Sequence, residues 1–316
     1  MLLPEYKSFT EKQQFYQYKR INKRSEFDRF YDELKSNQEN LIFRGLNEAK
    51  YKNYTSGQRV WKTNTLYHHL NYIDFLHKIL YNIRGNKILY EYYISLDVAP
   101  NDLLYWAFLQ HYGAPTPMLD FTHDLDTGLF FAFDKMQLNS TRSHIGDYVS
   151  LYYIDRQECG DELVDIVEML NDGARRANEM VGEFQKEAPD VNVDTELLER
   201  IDEFTKWRTS NGLSSIPIGF YQLSSKFRLP GGEALVWANL NLVAQKGCFV
   251  NYNKNDIPLE EYMSNHAYFP KLHCIDIPKA LCAYIQDKVG KKKSDIYPQE
   301  EDIAKKSYTD FMKVLQ

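Results

Sequence analysis

The sequence predicts an α+β fold, a mixed and largely antiparallel sheet flanked by helices. Three observations carry this. Short apolar runs suited to strands recur from Leu41 to Ile277, mixed with amphipathic helical patterns. The stretch from Asn101 to Met136 reads as helix, turn, strand, turn and helix in close succession. An acidic, helical segment over about 159–209 interrupts the strand pattern as an insertion or lid, and strand signals return after it.

The elements can be justified in order. Residues 1–39 are expected as a helical arm ahead of one domain over 40–316, with residues 5–20 polar, aromatic and weakly periodic. Ser25 is placed as the cap of a helix whose Phe27, Phe30, Tyr31 and Leu34 share a face, with Asp28 as capping acid. Leu41-Ile42-Phe43 is a buried strand, ending in Arg44 with Gly45 at its mouth. The polar stretch 50–65 reads as a loop, and Leu66, Leu70, Ile73, Leu76 or His77, Leu80 and Ile83 mark a long amphipathic helix after it.

Asn101 caps the next helix and Gly113 ends it. Pro115 and Pro117 cannot continue it, because proline lacks a backbone donor and biases its predecessor towards extended conformation. A short buried strand, Met118-Leu119-Asp120-Phe121, follows; Thr122 is placed as the cap of a helix carrying Leu125, Leu129, Ala132 and Phe133. Residues 148–154 alternate like a half-buried strand. Beyond the insertion, strands are expected at 216–218, 234–237, 242–244, 248–250 and 274–277, and Pro278 opens a helix that closes at Gly290. A last helix carries Ile303, Tyr308 and Phe311.

Composition narrows the function classes. A formal net charge of -6 argues against holding nucleic acid by overall charge and leaves only a local basic patch. No apolar run approaches the length of a spanning helix, and the first residues lack the basic-then-apolar order of a signal peptide. A cytoplasmic protein acting away from membranes is therefore expected. Cys159, Cys248, Cys274 and Cys282 show no Cys-x-x-Cys spacing, which favours reduced, mostly buried thiols.

Chemistry-bearing side chains are densest at 109–133, where Gln110, His111, Tyr112, Thr116, Asp120, Thr122 and His123 fall between two helical patterns. Rigid flanking elements can aim such residues into a cleft. Arg44 has two readings, a structural ion pair or a forked donor for a ligand phosphate or carboxylate. Gly45 favours the second, since a residue without Cβ lets a ligand approach the backbone. No metal is expected: His68, His69 and His77 lack matching carboxylates, and the paired prolines direct His111, Asp120, His123 and Asp124 apart. The cysteines lie in apolar elements unsuited to a nucleophile, and there is no phosphate loop, dinucleotide fingerprint or nucleophile elbow.

Four separated pieces resemble the FRG domain family. Phe43-Arg44-Gly45 is similar to its name motif; Gln110-His111-Tyr112-Gly113-Ala114-Pro115-Thr116, Leu119-Asp120-Phe121-Thr122 and Phe130-Phe131-Ala132 resemble its central signature. Ala244-Gln245-Lys246-Gly247-Cys248-Phe249 resembles its glutamine motif, and the helix from Pro278 with Ile296-Tyr297-Pro298 its closing segment. Pro117 and Phe121 stand where the signature has Arg and Trp, and the Arg often found before the glutamine motif is absent from residues 239–242. If those arginines bind phosphate elsewhere in the family, Arg44, Arg59 or Arg228 must supply the charge here.

The strand order of these motifs is similar to that of mono-ADP-ribosyltransferases, a fold-level analogy. It implies NAD as substrate, held at its pyrophosphate by Arg44, with Asp120 and Thr122 at the nicotinamide ribose and Gln245 where an acid is expected. Gly45, Gln110, His111, Tyr112 and Thr116 would line the site, and Asp120 or Glu233 would replace the missing acid. ADP-ribose transfer to a protein or nucleic acid, in a toxin or phage-defence setting, is the activity implied. The other classes are a non-catalytic nucleotide or nucleic-acid binding module and a protein-interaction domain.

Overall fold

The structure is a computed structural model that describes residues 3–96, 100–137, 144–169, 218–222, 226–229, 232–235 and 240–299, with isolated positions from 172 to 186 and at 305. The strands are β1 (Gln17–Arg20), β2 (Leu41–Leu46), β3 (Met118–Thr122), β4 (Tyr148–Asp155), β5 (Val164–Asp165), β6 (Ile218–Gln222), β7 (Lys226–Leu229), β8 (Gly232–Leu235), β9 (Gly247–Tyr252) and β10 (His273–Pro278). Eight of them form one sheet in the order β1-β10-β4-β2-β3-β9-β6-β5, while β7 and β8 make a separate ribbon. Interior pairs are antiparallel; the edge pairs, β1 with β10 and β5 with β6, are parallel. This is the expected α+β architecture.

Helices cover the sheet: α1 (Phe9–Lys12), α2 (Arg24–Ser36), α3 (Ser56–Thr63), α4 (Tyr72–Arg84), α5 (Lys87–Ser95), α6 (Asp102–His111), α7 (Leu125–Phe133), α8 (Arg156–Cys159), α9 (Leu240–Ala244), α10 (Leu259–Asn265), α11 (Cys282–Val289) and α12 (Lys293–Ile296). Strand alternation decides which face each covers. Leu41, Phe43, Val149, Leu151, Ile275 and Ile277 pack with Phe27 and Phe30 of α2, Leu125 and Leu129 of α7 and Ile285 of α11. Their neighbours Ile42, Tyr152, Ile154 and Cys274 join Tyr6, Tyr16 and Leu259 on the other side. Helices α4 to α6 close a third cluster over Met118, Tyr221 and Phe249. Each such side chain contributes about 1.5–3 kcal/mol relative to exposure, enough to offset ordering of a residue's backbone at about 1–2 kcal/mol.

Two features of this frame shape the cleft described below. Between β2 and β3 only Phe43 and Thr122 pair, so the strands part beyond that point. On the same stretch α7 lies unusually close to β2. A Cβ at Gly45 would stand 2.2 Å from the carbonyl oxygen of Gly128 and 2.3 Å from the amide nitrogen of Ala132, and a Cβ at Gly128 would stand 2.8 Å from Cβ of Phe43. Two glycines thus set the helix-to-strand distance.

Several local expectations are corrected. Residues 17–20 form the edge strand β1 rather than part of a helical arm. Helix α2 begins at Arg24 with Lys23 at its cap, and Glu26, not Asp28, accepts from the Asn22 backbone. The stretch read as a loop contains α3, opened by a reciprocal cap between Thr55 and Gln58. The long helix after it starts only at Tyr72, with Asn71 as cap. Asp124, not Thr122, caps α7, and residues 240–244 are helical because a short apolar run fits helix and strand equally well. The Asn101 cap and the left-handed Gly113 and Gly290 stand as expected. Most of the 159–209 insertion and the last helix lie outside the described residues.

Gly45→Ala is expected to destabilise the fold by about 3 kcal/mol, because backbone rather than a flexible side chain must move. Gly113→Ala, at φ +75 with open space around it, is expected to cost about 1 kcal/mol. Urea unfolding midpoints of the two variants check the ranking.

Candidate functional site

Where β2 and β3 part, a cleft of about 470 Å³ opens. Its floor and sides come from Phe43, Arg44 and Gly45 of β2, Asp120 and Phe121 of β3, and Gly247, Cys248 and Phe249 of β9. The C-terminal end of α6 brings Gln110 and His111, α7 and its exit bring Phe131, Asp134 and Lys135, and the α9 corner brings Asn241 and Gln245. Lys135 adopts a left-handed φ of 55, a strained conformation for a residue with a Cβ.

The guanidinium of Arg44 crosses the parting strands. Its Nη1 donates to the Asp120 carbonyl oxygen at 2.8 Å and its Nε to Asn53 Oδ1 at 3.2 Å. Among the described residues Nη2 meets no protein acceptor, and no ion pair joins Arg44 to a carboxylate. Burial lowers the Arg44 pKa to about 10, with Asp120 pulling the other way and Arg59 adding repulsion. Arg59 itself is exposed on α3, steadied by a bond from Nε to the Tyr54 carbonyl at 3.1 Å.

Asp120 is held differently. Its side chain is exposed to the cleft, where Oδ2 accepts from Gln110 Nε2 at 2.8 Å. Gln110 is fixed in turn by the hydroxyl of Thr116, which donates to its Oε1. Thr116 is fully buried, and its amide donates to Ser56 Oγ of α3 at 3.0 Å. Arg44 and Asp120 therefore share one cleft without a direct ion pair between their side chains. His111 beside them makes no protein hydrogen bond with its ring nitrogens among the described residues; desolvation lowers its pKa against the pull of Asp120.

Arg44, Gly45, Gln110, His111, Asp120 and Gln245 thus come together on one cleft, while Tyr112, Thr116 and Thr122 do not line it. Tyr112 stands exposed at the α6 terminus, its ring edge-on to His111 at 4.8 Å. Thr122 is buried and donates to the Gln245 carbonyl at 2.6 Å, which ties the α9 corner to β3. The Gln245 amide nitrogen is engaged by the Ile296 carbonyl at 3.0 Å. Gly45 borders the cleft, yet the close packing of α7 already requires a glycine there. The side chains of Arg228 and Glu233 lie outside the described residues. The four cysteines are buried and unpaired, and among the described residues no group of three or more His, Cys, Asp or Glu is placed to hold a metal. No described helix is long and apolar enough to cross a membrane.

Sequence comparison bears on this frame. Residues 39–141 match the family model of the FRG domain. This stretch is an FRG domain. It supplies the Arg44 strand, the α6 end, Asp120 and α7, whereas β4, the α9 corner, β9 and β10 lie beyond the match. Searches of curated proteins and of solved structures each found no match. The FRG match names a family and assigns no activity.

Sequence reasoning missed the residues behind the Arg44 of the FRG domain. Asn53 lies in the stretch read as a loop, and Glu260 lies on α10, far along the chain. Only the Thr55-x-x-Gln58 capping pattern signalled that order begins just after Asn53.

The His111 ring should titrate below the ordinary histidine value because burial disfavours its charged form, and Asp120→Asn should lower its midpoint further by removing the carboxylate that favours that form. With the folded value lowered, the unfolded chain binds the proton more tightly, so this group's contribution to stability falls as pH drops through the unfolded value. Ring-proton NMR titration of both proteins checks the direction.

Proposed function

We propose that the cleft binds a nucleotide and that NAD is its substrate, cleaved at the nicotinamide ribose with transfer of ADP-ribose to a protein or nucleic-acid acceptor. The observation that carries this is the shared cleft of Arg44 and Asp120, unlike charges held apart by separate backbone and side-chain anchors. A guanidinium with a nitrogen to spare suits a phosphate oxygen. A cleft of this size is typical of small-ligand sites.

In the proposed reaction the C1′–N bond breaks with its electron pair moving to the nicotinamide ring, and C1′ becomes oxocarbenium-like. Asp120 would face that positive charge, an electrostatic contribution that needs no proton transfer. An acceptor oxygen forms the new bond to C1′ and loses its proton to solvent. The His111 ring, which lines the cleft, offers a flat surface for an aromatic base.

A second reading, a module that holds the nucleotide intact, is favoured by Gln245. An amide carries no charge and cannot serve as the base expected at that place, and its nitrogen is already engaged.

Purified protein is expected to release nicotinamide from NAD, with Asp120→Asn and Arg44→Lys each reducing the rate by about a hundredfold or more. Nucleotide-dependent stabilisation without nicotinamide release would favour the binding module. Neither release nor a shift in Tm with NAD would overturn both readings.

A further inference from the structure

Behind Arg44, on the side away from the cleft, lies a second charged group that the sequence patterns did not single out. Glu260 of α10 is fully buried, yet its carboxylate is well supplied with donors. Tyr6 donates its hydroxyl to Oε1 at 2.6 Å, and the Asn53 backbone amide donates to both oxygens at 3.3 and 3.2 Å. Asn53 then links this group to the cleft. Its Oδ1 accepts from Arg44 Nε, and its Nδ2 donates to the Tyr16 hydroxyl at 3.3 Å. Both ends of the Asn53 side chain are thereby engaged, so its amide has one orientation that serves Arg44.

From this chain of bonds we infer that Glu260, acting through Asn53 and supported by Tyr6 and Tyr16, is a positioning residue that aims the Arg44 guanidinium at the phosphate of a bound nucleotide. The inference rests on the nucleotide reading of the cleft. Its physical basis is the cost of holding a guanidinium away from water without a carboxylate in direct contact. Glu260 supplies negative charge from the rear, where it favours the charged form of Arg44 without occupying Nη2. A carboxylate in direct contact would compete with the ligand; one relayed through an amide does not. Burial raises the Glu260 pKa, and the hydrogen bonds from Tyr6, Tyr16 and Asn53 oppose that shift.

A network that only held the fold together would affect all ligands of the cleft alike. Positioning of Arg44 concerns phosphate alone. Binding of ADP and of adenosine to the full chain, measured by calorimetry, separates the two roles. Glu260→Gln turns an acceptor into an amide donor facing the Asn53 amide, and Tyr16→Phe removes one hydroxyl while keeping the ring. ADP affinity is expected to fall about tenfold in Glu260→Gln and about threefold in Tyr16→Phe, with adenosine affinity unchanged. Equal losses for the two ligands, or no loss for ADP in either variant, overturn the positioning role and leave the nucleotide reading standing. Failure of the unaltered protein to bind ADP overturns the nucleotide reading, and the inference falls with it. Should Glu260→Gln fail to fold, the conservative Tyr16→Phe decides by the same comparison.

Discussion

The guanidinium of Arg44 is the constraint on which the cleft depends. Two neighbouring strands that pair at one position and then part expose backbone polar groups inside a sheet, each costing about 1–3 kcal/mol if left unmet and buried. Arg44 spans that gap by donating to the carbonyl of Asp120 while Asn53 steadies it from behind. Lysine would bring one point charge to the same place. The planar fork lets arginine meet two protein acceptors and still leave Nη2 without one among the described residues. The same residue therefore closes the sheet and charges the hollow it leaves.

The walls around it are set by packing of unlike kinds. On one side α7 presses onto β2 through Gly45 and Gly128, which brings Phe131, Asp134 and Lys135 to the rim. On the other, the Gln110–Thr116–Ser56 relay joins the end of α6 to the start of α3 and holds the Asp120 carboxylate outward. The rear belongs to the N-terminal segment. Lys12 is fully buried against Asp276 at 2.7 Å, with Ser150 and the Ala49 carbonyl as further partners. Such a pair adds little net stability over apolar packing, but it admits few alternative placements. By anchoring α1 it seats Tyr6 and Tyr16 against Glu260 and Asn53.

The legible part of the fold was the part with local causes. Asn101 and Gly113 delimit α6 through a side-chain cap and a left-handed residue, both written in adjacent positions. The strands β2, β4, β9 and β10 show through their apolar runs. Residues 240–244 failed the same test, because an apolar run of that length has no period of its own and the Lys246 left-handed turn that ends it involves no glycine. Helix α3 was hidden by its polar composition, although its capping pair was present. In the site, the motif residues from 44 to 120 were visible as clustered chemistry. Asn53 and Glu260 were not, since a single Asn and one of two adjacent acids look like ordinary solvated residues.

The sequence by itself determined the α+β class, the helix stops, the concentration of polar side chains at 109–133 and the family of residues 39–141, because each depends on neighbours within a few positions or on motifs read in order. Tertiary structure alone decided that β2 and β3 separate after one pair, that Arg44 and Asp120 face one hollow without forming an ion pair, and that Thr116 and Thr122 serve as struts instead of lining it. It also decided that a carboxylate from residue 260 stands behind a guanidinium from residue 44. The physical reason is that burial and charge compensation are settled between segments far apart in the chain, where pattern and spacing carry no record of who meets whom.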